Sequence, residues 1–424
     1  MTEALLHYIW KLRLFNAENL QTKTGEAIEV LHPGFHNHDS GPDFLNAKIR
    51  IGKTVWAGNV ELHVNSSEWQ QHRHQIDDAY NNVILHVVLD AQSDIVTANN
   101  QTVIPCVELR HRIDAHLLSR YELLMKATAF IPCANSIKSV SDFVIEATLE
   151  RCSIERLERK VNSVTLLLDA SKGDWEHVAW QVIARYLGSG VNRDAMEAVV
   201  KQILVSVLSK HTGNALQIEA MLFGVSGLLK GDFVDEYPRA LQKEFNYLKR
   251  LHALQVLEQG VFRWAKIRPA NFPTVRLAQL AALMISDVKI FSRLLQCNSI
   301  NEVEHLFAAK PNVYWNNHYR FDEISETGVR QIGKSTTDVV AINAVVPLLF
   351  TYGKHKGDEV YCDKAVALLQ AINAEVNAVT KAYKNWGINS QSAFQSQGLL
   401  QLKQHYCSNF RCLDCAIGNT ILRS

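Results

Sequence analysis

The sequence predicts an α+β protein in two parts, an N-terminal mixed sheet flanked by helices and a large all-helical domain after it. Three observations predict this. Up to about residue 113, short apolar runs closed by Gly, Pro, Asn or Ser recur at strand length. One of them, "NVILHVVLD" (82–90), is apolar almost throughout, the mark of a strand buried on both faces. From about residue 114 onward, apolar residues fall at helical spacing with charges between them. The domains are therefore placed at 1–113 and 114–424.

The opening stretch reads as an amphipathic helix over 3–14, with Glu3 in its first turn. It lacks the basic start, apolar centre and small-residue cleavage site of a signal peptide, so a cytoplasmic location is expected. "EAIEVLHPG" (26–34) predicts a strand near 27–31 ending at a Pro-Gly turn. "FLNAKIRIG" and "TVWAGNVELHV" predict a hairpin, strands near 45–51 and 55–64, turning at Gly52-Lys53. A helix over 67–80 follows, capped by Ser66 or Ser67. Strands near 83–89 and 103–109 complete one mixed sheet, with "VILHVV" central.

The second half repeats the helical pattern in "IEATLERCSIERLERKVNSVTLLLDA" (145–170), "ALQIEAMLFGVSGLLKG", "VRLAQLAALMISDV" and "DKAVALLQAINAEVNAVTKAYKNWG". No fixed period runs through it, which excludes a regular solenoid. Gly224 and Gly227 are expected inside a helix, where they allow close packing. Arg268 and Arg276 fall in a Pro-punctuated link and read as structural, with a phosphate-facing role as the alternative. "IGKST" (332–336) lacks the upstream glycine of a phosphate-binding loop. "VVAINAVVPLLF" (339–350) is too short to span a bilayer and contains Pro347, so no membrane partner is expected. With 47% apolar residues the chain can build a real core. A net charge of +1 gives no global field for nucleic acid, though a local basic face stays open.

The chemistry concentrates in two places. Asp43 follows Gly41-Pro42, and Glu61 sits in the second strand of the hairpin that comes next, two residues before His63. Two carboxylates on neighbouring strands can meet at one point and hold Mg²⁺ or Mn²⁺. The plainer reading makes Asp43 a turn residue and Glu61 and His63 the polar face of a half-buried strand. Around them lie His32, His36, His38 and Asp39 in one loop, and His72, His74, Asp77 and His86. His74 and Asp77, three apart on a helix, either border the acidic site or serve as cap and solvated face. His86 reads as a hydrogen-bonded core histidine. The second place is the tail, "HYCSNFRCLDC", with His405, Cys407, Cys412 and Cys415. Cys-x₂-Cys has the bite of a zinc ligand pair, completed by Cys407 and His405, or by Cys133 from far upstream. An iron–sulfur cluster, which takes four thiolates, is the alternative. Three reduced cysteines closing a helical tail is the plainer reading.

Pro42-Asp43, a hairpin, then Glu61-Leu62-His63 resembles the PD-(D/E)xK nuclease superfamily. The resemblance implies a restriction-endonuclease-like fold, metal ligation by Asp43, Glu61 and the Leu62 carbonyl, and His63 in place of the lysine that positions the attacking water. Glu3 is the candidate for the acid that many members carry on the first helix. Cys133 with the three terminal cysteines is similar to the cluster ligands of some helicase-associated members. Over nearly the whole chain, "GPDF…NVELHV", "LQIEAMLFGVSGLL", "RPANFPTVRLAQLA" and "YCSNFRCLDCAIGN" resemble a bacterial family defined as a domain of unknown function. That resemblance implies one architecture and brings no activity. Two functions follow as expectations: a metal-dependent nuclease or phosphodiesterase acting on nucleic acid, or a catalytically inert nuclease-fold scaffold that binds nucleic acid or protein.

Overall fold

Alternating and continuous apolar runs build the N-terminal sheet strand by strand. In the computed structural model, which describes residues 1–91, 96–97, 101 and 103–424, these are β1 (Ile28–His32), β2 (Phe35–His36), β3 (Phe44–Ile51), β4 (Thr54–Asn65), β5 (Val83–Asp90) and β6 (Cys106–Glu108). They form one sheet in the order β1-β3-β4-β5-β6, with β2 also on β3. The β1, β3 and β4 pairings are antiparallel, and β5 and β6 run parallel to β4. The sheet is therefore mixed, as the sequence predicts. Val83 to Val88 are all buried, and β5 has a strand on each side; β4, rather than β5, is the middle of the order. The strand expected over 103–109 is divided at Pro105. Val103–Ile104 pairs with Val96–Thr97 in a separate ladder, and Cys106–Glu108 joins the main sheet. Proline has no N–H for a ladder, so a break there is natural.

β4 departs from simple alternation. Its second half is buried on both faces, Val60 and Leu62 on one and Glu61 and His63 on the other. Glu61 and His63 are thus not a solvated face. The segment 67–80 is not one helix. Glu68–Gln71 makes a single turn, Arg73 takes a left-handed conformation (φ 63°), and two 3₁₀ turns follow at His74–Ile76 and Asp78–Tyr80. Burial of Trp69, His74 and Tyr80 against the sheet overrides helix propensity here. The N-terminal helix forms as expected over Glu3–Leu12, capped by Thr2 and ended by Arg13 at φ 53°. It buries Leu5, Leu6, Ile9 and Trp10, whose indole N–H donates to the Pro33 carbonyl at 3.0 Å.

The chain divides into two compact units. The first comprises Met1–Thr148 together with Lys403–Ser424, and the second Leu149–Leu402. The first unit thus runs past residue 113 to the start of helix Asp142–Ala170 and takes back the cysteine-rich tail. In it, the Leu422 carbonyl accepts a bond from Arg120 at 3.3 Å.

The second unit is helical apart from a short antiparallel ladder of His318–Arg320 with Glu323–Ile324, so it is not all-helical, and it surrounds one large core that includes Trp180, Phe223, Leu248, Leu283, Trp315 and Val346. The apolar run at 339–350 belongs to a 23-residue helix, Lys334–Lys356, longer than the run itself. By length and composition that helix could cross a membrane, but 72% of its most apolar window is buried within the protein. It absorbs Pro347 with a π turn over Ala341–Val345, which widens the helix just before the ring. The helical run expected over 363–387 is two helices, Glu359–Ala371 and Ala378–Asn385, the second started by a capping box at Asn377.

Gly224 ends helix Ala215–Val225 against helix Glu236–His252, and a Cβ there would meet the Phe245 ring at 2.1 Å. Gly227 lies beyond the helix end rather than in it. Gly224→Ala is therefore expected to lower unfolding stability by about 1–3 kcal/mol through overpacking. Denaturant midpoints of the two proteins check it, and an unchanged midpoint contradicts it.

Candidate metal centre

The register between β3 and β4 pairs Phe44 with Val60, which sets Asp43 opposite Glu61 at the strand mouth. Asn37 delivers Asp43 there: its backbone N–H donates to the Asp43 carbonyl (2.7 Å) and its side-chain amide to the carbonyls of Ser40 and Pro42. Each acid then braces the strand that carries the other. The Asp43 N–H donates to Glu61 Oε2 (3.0 Å), and the Leu62 N–H donates to Asp43 Oδ2 (2.9 Å). Asp43 and Glu61 are therefore brought together, as neighbours on one face. Leu62 contributes its amide to this brace.

Imidazoles surround the pair. His7, on the first helix, places Nε2 at 3.2 Å from Asp43 Oδ2 and 3.9 Å from Glu3 Oε1. The other Glu61 oxygen, Oε1, lies 3.3 Å from His74 Nε2 and 3.6 Å from His63 Nε2. The Nδ1 of His63 shares a 2.8 Å hydrogen bond with Nε2 of His86, which holds the ring and leaves Nε2 turned to Glu61. His72 and His74 would diverge on a regular helix. The left-handed Arg73 between them brings their rings to 5.4 Å from each other and to 5.2 and 5.3 Å from that of His63. Asp77 does not join them; it caps the second 3₁₀ turn through Ala79 N–H (2.9 Å). His36 packs edge-on to His7 and stacks on Phe44, at the rim.

The electrostatics follow from burial. His63 is fully buried, and desolvation with the neighbouring histidines pushes its pKa down to about 2. It is a neutral imidazole, the form that binds a metal. Burial raises the pKa of Glu61, and the Asp43 charge adds to that, while His74 and the Asp43 amide oppose it. Glu3 is raised for the same first reason, burial, and then by Asp43.

The buried Nε2 atoms of His63, His74 and His7 make no hydrogen bond of good geometry. Among the described residues, two groups present all their ligand atoms within 4.8 Å of one another: His63, His72 and His74, and Glu3, His7 and Asp43. Glu61 reaches both, Oε1 to the first and Oε2 to the backbone of the second. Ring nitrogens whose nearest partners are the Asp43 and Glu61 carboxylates, at 3.2–3.6 Å, fit a divalent ion. Their mixture of imidazole and carboxylate suits Mn²⁺ and its transition-metal neighbours better than Mg²⁺.

The tail forms a second cluster. All eight cysteines are reduced. Cys133, Cys407, Cys412 and Cys415 are all buried. Burial pushes the Cys133 thiol up, and Cys407, Cys415 and Cys412 push it further. Cys412 is pushed up to about 12 by burial and then by Cys415 and Cys407. Cys407, Cys412 and Cys415 thus act on the ionisation of Cys133, the upstream member. His405 lies in the π turn at Leu402–Tyr406, ahead of this group. Cys412 and Cys415 are joined by a tight turn (Cys415 N–H to Cys412 carbonyl, 3.3 Å), and Asn419 donates to the Leu413 and Cys415 carbonyls. A Cβ on Gly418 would strike the Cys412 carbonyl at 2.3 Å, so only glycine lets the last helix close on this turn.

Residue spacing gives no sign of His7 or of the convergence of His72 with His74. A helix placed across a sheet and a left-handed Arg leave no signature in a linear pattern. Neither the curated proteins nor the solved structures offer a significant match. A family model described as a protein of unknown function (DUF2851) matches residues 3–378, and the chain belongs to that family.

Proposed function

We propose that the sheet unit is a metal-dependent phosphodiester hydrolase, resembling the PD-(D/E)xK nucleases and acting on nucleic acid. The reciprocal brace between Asp43 and Glu61 supports this most. It holds two carboxylates at one point and surrounds them with imidazole nitrogens that lack other partners. Asp43, Glu61 and His7 would hold a divalent ion, with His63, His72 and His74 on the other side of Glu61. When bound, the ion polarises a phosphoryl oxygen and lowers the pKa of a water. The protein's part is positional. The crossed backbone bonds fix both carboxylates, and the His86 bond fixes the His63 ring.

The inert scaffold is the second reading. It draws on His63 standing where a nuclease would carry lysine, and on the full burial of that histidine. The tail, by its four thiols, would hold a zinc ion, or an iron–sulfur cluster in its place.

Purified protein freed of metal and reloaded with Mn²⁺ or Mg²⁺ tests the first reading on single- and double-stranded substrates. Cleavage that requires the ion, and is faster with Mn²⁺, is the expected result. Metal binding without cleavage across the panel transfers the site to the scaffold reading, and absence of both removes it.

A further inference from the structure

Four arginines of the helical unit converge on one cavity. It has a volume of about 610 Å³, and Arg193, Arg268, Arg276 and Arg330 line it together with Ser335 and Thr336. Among the described residues, its lining includes no Asp or Glu. Arg276 is only 5% exposed. Its guanidinium donates to Gln279 Oε1 (2.8 Å), Asn271 Oδ1 (2.5 Å) and Thr336 Oγ1 (3.2 Å), all neutral acceptors, while its Nε makes no bond. Gln279 is itself fixed, donating to the Arg330 carbonyl at 2.7 Å. A buried cation held only by neutral groups is costly unless an anion joins it.

The neighbours repeat the pattern. The Nε atoms of Arg193 and Arg330 are also buried without a hydrogen bond. Arg193 lies over the Tyr186 ring at 5.3 Å and Arg330 over the Tyr319 ring at 4.1 Å, contacts that orient a guanidinium without neutralising it. Arg268 is exposed at the mouth. Ser335 and Thr336 belong to the opening turn of helix Lys334–Lys356. Lys334 is turned elsewhere, paired with Glu304 and 3.8 Å from Asp338, so this is not the lysine of a phosphate loop.

We propose that this cavity binds the phosphate of a small phosphorylated ligand, with Arg276 and Arg330 gripping the phosphate oxygens and Arg193 and Arg268 closing over it. Guanidinium forks match phosphate in pairs, and their planar geometry makes them better suited to it than lysines. The depth of Arg276 selects a terminal phosphate or pyrophosphate over the continuous backbone of a strand. This binding is independent of Asp43 and Glu61.

The test uses full-length protein with inorganic phosphate, pyrophosphate, ATP and a single-stranded oligonucleotide lacking terminal phosphates, by calorimetry and thermal shift. Pyrophosphate or ATP should bind saturably and raise the unfolding temperature. Exposed Arg268→Gln should weaken that binding roughly tenfold, because one charge-assisted bond is lost. Arg330→Gln should weaken it at least as much, and Asp43→Asn should leave it unchanged. Saturable binding that both arginine variants retain in full overturns the proposal. So does absence of binding by every phosphate compound. Binding of the oligonucleotide alone, lost in Arg268→Gln, also overturns it and assigns the cavity to nucleic-acid backbone.

Discussion

Glu61→Gln is expected to lower metal-dependent cleavage by on the order of 10³-fold, and Asp43→Asn by a similar factor. Both substitutions keep side-chain volume and an oxygen for the backbone brace. In Glu61→Gln the amide oxygen can still accept from the Asp43 N–H, and in Asp43→Asn it can still accept from the Leu62 N–H, so the strand mouth stays folded. What each loses is charge. Glu61 faces the imidazoles of His63 and His74 through one oxygen and the Asp43 N–H through the other, so its loss strips the carboxylate that lies between the two ligand groups. Bound metal should fall with activity in Glu61→Gln, read by elemental analysis, while circular dichroism stays unchanged. A folded Glu61→Gln protein that cleaves at the parent rate sinks the assignment.

His63 separates two roles that its position leaves open in sequence. If it replaced the nuclease lysine, His63→Lys would keep or raise activity. The structure favours the other role. The ring is fully buried, tied to His86 through Nδ1, and its Nε2 belongs to the group with His72 and His74. A lysine there would place a cation among three imidazoles at a fully buried position. His63→Lys should therefore abolish metal binding.

Much of this site is legible in the amino-acid sequence. Turn chemistry places Asp43 at a strand mouth, but the hairpin turn alone would set it opposite Leu62; the irregularity between Phe44 and Ala47, with Asn46 at φ 55°, shifts the register by one and brings it opposite Glu61. The continuous run at 83–88 announces a doubly covered strand. What stays hidden depends on packing between distant segments. His7 meets Asp43 only once the first helix lies on β4. His72 meets His74 only because Arg73 adopts a conformation that no periodicity encodes. Within "RPANFPTVR", Arg276 reads as structural, with a phosphate-facing role as the alternative. Its buried, uncompensated charge emerges only when Arg193 and Arg330 arrive from other parts of the helical unit. A boundary near residue 113 falls short of the first unit for a similar reason. The tail belongs with Cys133 through contacts, and no linker composition marks that return.

The tail carries the other large effect. Cys412→Ser is expected to remove bound metal and to destabilise the sheet unit by several kcal/mol, the range that marks loss of a metal site. Four thiols are buried here beside apolar side chains such as Ile131, Ile417 and Ile421, and burial raises the pKa of Cys133 and of Cys412. As thiolates, the four would share the charge of one cation. The turn from Cys412 to Cys415 then anchors helix Ala416–Arg423 through Asn419, and that helix meets Arg120 through the Leu422 carbonyl. Serine keeps the shape but cannot replace a thiolate, so the last helix should loosen first. Hydrogen exchange should rise over 412–423 while the helical unit keeps its protection. Elemental analysis and visible absorption identify the metal: near-stoichiometric zinc without colour, or iron and sulfide with a brown chromophore. Cys133→Ser should act like Cys412→Ser, whereas Cys362→Ser, at a half-buried position in the helical unit, should change neither metal content nor tail exchange. Parent protein that is metal-free after purification under reducing, anaerobic conditions, with Cys412→Ser equally stable, leaves the four thiols as plain packing.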